Sequence, residues 1–452
     1  MRHLLVAAVA AVAVIAAGSA GAATYRPAAN GLAFIPLKTS GNQAPSCFNQ
    51  PVCLSPQMVQ DAYDFPNGRS APTGAGQVIV VVNAYGSPFL GADVAAFEQA
   101  YNLPATDLEL LPQQTVLAPL GSDDFLNWAL ETTLDVEWTH ATAPGAKIVL
   151  AVAANDDTSN LVQVAREALA KYPRAILSLS FGGDEVGPFS DPDAMSALDR
   201  LFVQSALRGG TVVTAAGDFG GSNGNPTVTA SYPASSPLAL AVGGTMGDPY
   251  PGGLWNKGKY GGEQVWNEVL DGFPGASGGA PSVVYPRPIW QTGFVQSAGR
   301  GVADVAYNAA ANGGVAIRFG GSWGAIGGTS AGAPQWAGLV ALANEARAGA
   351  GRGPVGLVAP LLYQLARDRS TYRQDFHDIA SGTNALFGAG SPFPGFAAGV
   401  GYDYPTGLGT PDVARLLKDL SGRDSGFGQF DDLQVEHGHR GPGQHGRFAP
   451  GR

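Results

Sequence analysis

Five short runs dense in Val, Ile, Leu and Ala recur along the chain, at 77–83, 147–153, 175–180, 211–216 and 238–242. Each is continuously apolar rather than alternating, the pattern of a strand covered on both faces. Between them, 92–101, 123–139, 160–171 and 193–208 carry apolar residues at helical spacing. Strand alternating with helix predicts a parallel sheet clad by helices on both faces, a doubly wound α/β fold. Such sheets place their ligands at the carboxyl ends of the strands.

Residues 244–328 are rich in Gly and aromatics with weak periodicity, so long cleft-lining loops are expected there, followed by a helix over 331–348. With 64 Gly and 33 Pro in 452 residues but 45% hydrophobic content, the chain reads as loop-rich and globular. A net charge of -10 and the lack of a Lys/Arg cluster exclude the electrostatic footprint of a nucleic-acid binder. Residues 1–22 have a basic start at Arg2, an apolar run over 4–17 and an Ala20-Gly21-Ala22 exit, which predicts a signal peptide and a secreted protein. That run is shorter than the roughly 20 residues a membrane span needs, and no later segment is long and apolar enough, so no membrane association is expected. Outside the cytoplasm Cys47 and Cys53 are expected to form a disulfide. The segment 23–53 reads as a short irregular lead-in and 54–420 as the structured domain. The tail 421–452, with His437, His439 and His445, reads as disordered and solvated.

Chemistry concentrates at three places. In Gly327-Gly328-Thr329-Ser330-Ala331-Gly332-Ala333-Pro334 a glycine-rich turn runs into a helix, leaving Ser330 at a helix N-terminus. There the unpaired N–H groups and the macrodipole favour a developing oxyanion beside a serine nucleophile, although serine also serves there simply as an N-cap. Pro334 is tolerated only near a first turn, which fits this boundary. Glu131 and Asp135, four apart on the 123–139 helix, lie about 40° apart around its axis and share a face. Flanked by Trp128, Leu134, Val136 and Trp138, they are either a catalytic pair or an acidic surface pair. His140, nine residues from Glu131, is about 180° away, so it does not share that face. Asp218, in Gly217-Asp218-Phe219-Gly220-Gly221, follows an apolar strand, where either a functional acid or a turn Asp belongs.

Taken together, these elements resemble the sedolisins, the serine-carboxyl peptidases of subtilisin-like fold. The resemblance covers about residues 54–420. It includes Glu131-x-x-x-Asp135 followed by Ala143-Pro144-Gly145-Ala146, Gly217-Asp218, Tyr232-Pro233-Ala234-Ser235-Ser236-Pro237, Gly243-Gly244-Thr245, Ser277-Gly278-Gly279, Arg300-Gly301-Val302-Ala303-Asp304-Val305 and Gly328-Thr329-Ser330. It implies that Ser330 is the nucleophile, Glu131 the general base, Asp135 its orienting partner and Asp218 an oxyanion-hole residue. It also implies one structural Ca2+, held by the Asp378 and Asp403 carboxylates with the carbonyls of Ile379, Gly399 and Gly401, and one water completing six oxygens. The expectation is a secreted, acid-active endopeptidase that works as a monomer on peptides or proteins.

Three departures stand out. Only about 32 residues separate Ala22 from the first core segment, where the family usually has a long propeptide. Asn83 and Phe181 occupy the positions where some members place an outer Glu and Trp, and Ala303 stands where Pro is common. Two competing readings are a subtilase that uses His140 or His377 as base and a catalytically silent binding protein.

Overall fold

The computed structural model describes residues 26–27, 34–39, 43–47, 53–112, 122–187, 190–247, 260–269, 275–387 and 391–422. The expected signal peptide and almost all of the expected tail lie outside these residues. Residues 421 and 422, assigned to the tail from sequence, instead end the helix Val413–Gly422. Among the described residues no helix is long and apolar enough to cross a membrane.

The five predicted strands form the centre of one sheet. In chain order its strands are β1 (Val78–Ala84), β2 (Asp107–Leu111), β3 (Lys147–Ala153), β4 (Ile176–Leu179), β5 (Thr211–Ala215), β6 (Leu240–Gly247), β7 (Glu263–Val265) and β8 (Val305–Asn308). They run in the spatial order β7-β6-β5-β4-β1-β3-β2, with β8 also on β6. Every pairing is parallel except β6 with β7. Because β1 lies between β3 and β4, successive connections leave it in opposite directions, and the crevice of a doubly wound sheet opens at its carboxyl end.

Alternation along the strands assigns the two faces. Ile79, Val213 and Val242 point to one core, and Val80, Val82, Val149 and Leu177 to the other. On the first face lie α2 (Asp123–Thr142) and α5 (Thr329–Gly349), beside α1 (Leu90–Tyr101); on the second lie α3 (Thr158–Lys171) and α4 (Pro192–Leu207). Ser122 caps α2, its hydroxyl accepting from the Phe125 N–H at 3.1 Å. Between the sheet, α5 and the hairpin Gly314–Phe319/Ser322–Ile326, α2 from Glu131 onward has no free face, and Trp128, Trp138, Glu131 and Asp135 are all buried.

The span 244–328 corrects the expectation of long loops. It contains β7, β8, the pair Pro281–Pro286/Gly299–Gly301 and that hairpin, short strands of which β8 and the hairpin are buried almost throughout and so show no two-residue period. The Arg300 and Asp304 side chains form a buried ion pair at 2.5 Å, and Asp304 also accepts from the Ala241 N–H, tying β8 to β6. Ser277 does similar work, accepting from Gly244 N–H at 2.8 Å and donating to the Pro405 carbonyl at 2.7 Å.

A domain start at 54 is too late. Ile35–Pro36 pairs with Ser322–Ile326, and Cys53–Leu54 pairs with Gly314–Phe319, completing a four-stranded sheet. The Phe34 ring lies over Gly324, where a Cβ would come within 2.2 Å of it. Cys47 and Cys53 form the expected disulfide, whose short loop is worth about 2 kcal/mol in the chain-entropy model. A chain starting at Leu54 should therefore unfold at lower urea than one starting at Phe34, and Cys47→Ser alone should give part of that loss. Equal midpoints for all three chains would contradict this account of the N-terminal segment.

Candidate active site

Asp135, Asp218 and Ser330 all stand at the carboxyl end of the sheet. Asp218 follows β5 directly, and Asp135 bonds to Asn83 near the end of β1 and to Ser180 just beyond β4. Both α2 and α5 run from this end toward the amino ends of the strands, meeting where a Cβ on Gly338 would lie 2.6 Å from the Thr142 methyl. Counting back at 1.5 Å per residue, Asp135 and Ser330 lie at about the same height on the two helices.

Ser330 is the second residue of α5, and the cap position belongs to Gly328, whose φ of 104° suits glycine alone. The reading of Ser330 as a plain N-cap is thereby corrected. Pro334 lies in the second turn rather than the first, where its missing N–H leaves the Ser330 carbonyl without its usual helical donor. The Ser330 hydroxyl is buried and makes no hydrogen bond among the described residues.

Thr329, to which sequence reasoning gave no role, joins Ser330 to Asp218. Its N–H and hydroxyl donate to Asp218 Oδ1 at 2.8 and 2.7 Å, while the hydroxyl accepts from the Gly217 N–H at 3.1 Å. Asp218 Oδ2 has no hydrogen-bond partner among the described residues. Burial pushes the Asp218 carboxyl up to about 7 despite the two Thr329 donors that favour its charge. A protonated Oδ2–H is then a buried donor on a carboxyl tied to the residue before Ser330.

Glu131 and Asp135 are fully buried, not a surface pair. Burial holds Asp135 well above the ordinary carboxyl range, opposed by the hydrogen bonds from Ser180, from Asn83 and within the pair. Neither histidine belongs to this group. His140 Nε2 faces the Pro104 carbonyl at 2.8 Å, and burial lowers its pKa. His377 stacks on Tyr260, and burial lowers its pKa to about 4.

The second predicted cluster also assembles. Gly401 N–H donates to both Asp378 oxygens at 3.0 Å, and Gly399 N–H donates to Asp403 Oδ2 at 3.2 Å. Asp403 Oδ1 accepts from the Thr406 N–H and hydroxyl at 2.9 and 2.8 Å, and Ile379 beside Asp378 is buried. Burial, with the nearby Asp378 charge, pushes Asp403 up to about 6. Neither carboxylate joins an ion pair among the described residues. No cluster of three or more His, Cys, Asp or Glu is grouped to hold a metal among them, so a cation here would rely on main-chain oxygens beside these two carboxylates. An all-oxygen set with two uncompensated acids fits a hard cation.

Fold and site together define a subtilisin-like hydrolase scaffold with buried carboxyl groups beside its serine. Residues 129–353 match the model of the Subtilase family. Kumamolisin from Bacillus sp. (strain MN-32) is 34% identical over 390 residues, which is 82% of this chain and 64% of its own. Sedolisin from Pseudomonas sp. (strain 101) is 30% identical over 384 residues, 81% of this chain and 61% of its own. The solved structure of Pseudomonas sedolisin, a serine-carboxyl proteinase complexed with two molecules of pseudo-iodotyrostatin, superposes with a TM-score of 0.70 at 28% identity, over 82% of this chain and 98% of that one. Over about four fifths of its length the chain is similar in sequence and fold to the sedolisins. It spans roughly three fifths of the length of these curated relatives.

The buried carboxyls also set how stability depends on pH. Asp135, Asp218, Glu137 and Glu263 are all raised, mainly by burial. A raised folded pKa contributes stability that is complete below the unfolded value near 4 and is lost as pH rises through the folded value. Urea midpoints should therefore fall between about pH 4 and pH 7, and less steeply in Asp218→Asn. A midpoint that climbs over that interval would contradict this sign.

Proposed function

We propose that the chain is a secreted, acid-active endopeptidase that cleaves peptide bonds through Ser330, Glu131, Asp135 and Asp218. The observation that carries the reading is the Asp218 carboxyl, tied through Thr329 to the nucleophile's own turn with one oxygen left unbonded. Ser330 Oγ attacks the substrate carbonyl carbon as its proton passes to Glu131. The carbonyl π bond opens to an oxyanion, which accepts a hydrogen bond from protonated Asp218. Collapse of the tetrahedral species expels the amine, which takes the proton back from Glu131 and leaves an acyl-enzyme. Water then attacks the acyl carbon as its proton passes to Glu131, and the acyl–Oγ bond breaks to release the acid as Ser330 Oγ takes that proton back. Asp135 stabilises the pair in the state that accepts a proton.

Extended backbone already lies at this site. Arg26–Pro27 pairs antiparallel with Phe181–Asp184, the strand that follows Ser180. This supports peptides as substrates, since main-chain pairing to a strand edge recognises backbone irrespective of side chain. Export follows from the signal-like residues 1–22. We further assign one structural Ca2+ to the Asp378 and Asp403 cluster with the carbonyls of Ile379, Gly399 and Gly401; when bound, it joins two loop segments and neutralises their charge.

Ser330→Ala should remove peptide hydrolysis and leave the fold intact, because Ser330 caps no helix and its hydroxyl makes no hydrogen bond among the described residues. Turnover retained by that variant would end the mechanism. For the wild type, kcat/KM should peak in acid and fall toward pH 7 as Asp218 loses its proton, whereas Asp218→Asn, which donates at any pH, should show a lower maximum and a flatter neutral limb. An optimum above pH 7 would exclude Asp218 as a titrating donor.

Calcium should raise the melting temperature at neutral pH relative to chelator at matched ionic strength, and Asp378→Asn should abolish the difference. Identical melting with and without calcium would refute the assignment.

A further inference from the structure

Asn83 stands near the carboxyl end of β1, the apolar run Val78–Ala84 whose last six residues are buried. Its Oδ1 is buried with no hydrogen-bond partner among the described residues, a defect that a leucine of similar volume would not carry. What the amide does form is directed at the acidic pair. Its Nδ2 donates to Asp135 Oδ2 at 3.2 Å and, more weakly, to Thr132 Oγ1 at 3.4 Å. From the adjacent parallel strand, the Ser180 hydroxyl just beyond β4 donates to Asp135 Oδ1 at 2.7 Å. Each oxygen of one carboxyl is thus held by a neutral donor, one near the end of β1 and one just past the end of β4.

No cationic side chain takes this place. On α2, Glu137 accepts from the Arg318 N–H at 2.9 Å and His140 faces Pro104. On α1, Asp93 accepts from the Gly320 and Gly321 N–H groups, and Glu98 accepts from the Thr106 N–H and lies 3.6 Å from His140. The Arg318 guanidinium, on the hairpin, lies over the Trp323 ring. Lys147 of β3 pairs with Asp107. On α5, Glu345 accepts from the N–H groups of residues 73–75, while Arg347 donates to the Gly353 and Leu420 carbonyls. Asp61, on the helix Pro56–Ala62, accepts from Gln57.

We propose that Asn83 and Ser180 are the positioning residues of the acidic pair, clamping both oxygens of Asp135 from the ends of two strands so that its carboxylate stays turned toward Glu131. The inference rests on the reaction proposed above. A donor to the ionised form eases loss of the pair's first proton, the loss that lets Glu131 accept one from Ser330. Asn83 does so without a charge or a titrating proton of its own, so the pair keeps two members. A carboxyl at position 83 would make it three.

The test is the kcat/KM profile from acid to neutral pH of the full chain and of Asn83→Leu, Asn83→Asp, Ser180→Ala and Ser180→Thr, with melting recorded at each pH. In Asn83→Leu and Ser180→Ala the acid limb should move to higher pH, lowering activity on that limb by about tenfold per unit of displacement. The neutral limb, set by Asp218, should stay in place. Ser180→Thr, which keeps the hydroxyl, should restore the acid limb, and Asn83→Asp should displace it upward through like-charge repulsion. Acid limbs at the wild-type pH in folded Asn83→Leu and Ser180→Ala would overturn the proposal even if kcat fell, since a purely structural role lowers kcat without moving a limb. Should Asn83→Leu or Ser180→Ala fail to fold, the near-isosteric Asn83→Asp decides alone, and an unshifted limb there overturns the proposal. Full turnover by Ser330→Ala on the same substrate would instead overturn the underlying reaction, a result separable from any limb position.

Discussion

Asp135 and Asp218 are each sealed from water at the carboxyl ends of parallel strands, and a carboxylate in that setting is unfavourable unless hydrogen bonds replace its hydration. Each is held by a different compromise. Asp218 receives two donors on one oxygen and none on the other, which favours a proton on the bare side. Asp135 receives one on each, which favours charge. One physical constraint, the scarcity of hydration at the site, thus raises both carboxyls, while their donors hold them differently, and the remaining geometry keeps them so. The sheet fixes the donors, α2 fixes the spacing of the pair, and Thr329 fixes Asp218 to the turn that carries Ser330.

This dependence explains why α2 and α5 are packed so tightly. Trp138 donates to the Ala316 carbonyl at 3.0 Å, and Trp336 to the Ala306 carbonyl at 3.2 Å, so both indoles bury without an unsatisfied N–H. Truncating either would cost about 3–5 kcal/mol and would loosen the helices that set the distance between hydroxyl and acids. Gly338 allows the two helices to approach, and Gly332 lets α5 lie close on the sheet, where a Cβ would sit 2.8 Å from the Val242 side chain.

The central sheet was legible because strands buried on both faces read as unbroken apolar runs, and β3 was bounded correctly at both ends. The edge strand β2, with Asp107 and Glu109 exposed or half-exposed, has no such run and went unread. Strands in 244–328 were hidden because they are short and, in β8 and the hairpin, buried almost throughout, so no two-residue period marks them. At the site, Glu131, Asp135, Asp218 and Ser330 were singled out as candidates from residue type and position, and the structure joins Glu131 to Asp135 and ties Asp218 to Thr329, the neighbour of Ser330. Thr329 and Ser180 were missed because a hydroxyl that donates to a carboxylate is indistinguishable in sequence from one that faces water. Only their places, beside the candidate serine and at a strand's end, could have flagged them.

The upward shifts at Asp135, Asp218, Glu137 and Glu263 also make the proton a ligand of the native state. At a pH between the ordinary carboxyl range and these raised values, the unfolded chain has released protons that the folded chain retains, so folding takes protons up from solution. Proton activity then acts on this molecule as a stabilising ligand acts on a receptor, by mass action. The enthalpy of folding measured in that interval should accordingly include the ionisation heat of the buffer, in proportion to the number of carboxyls that the fold keeps from water.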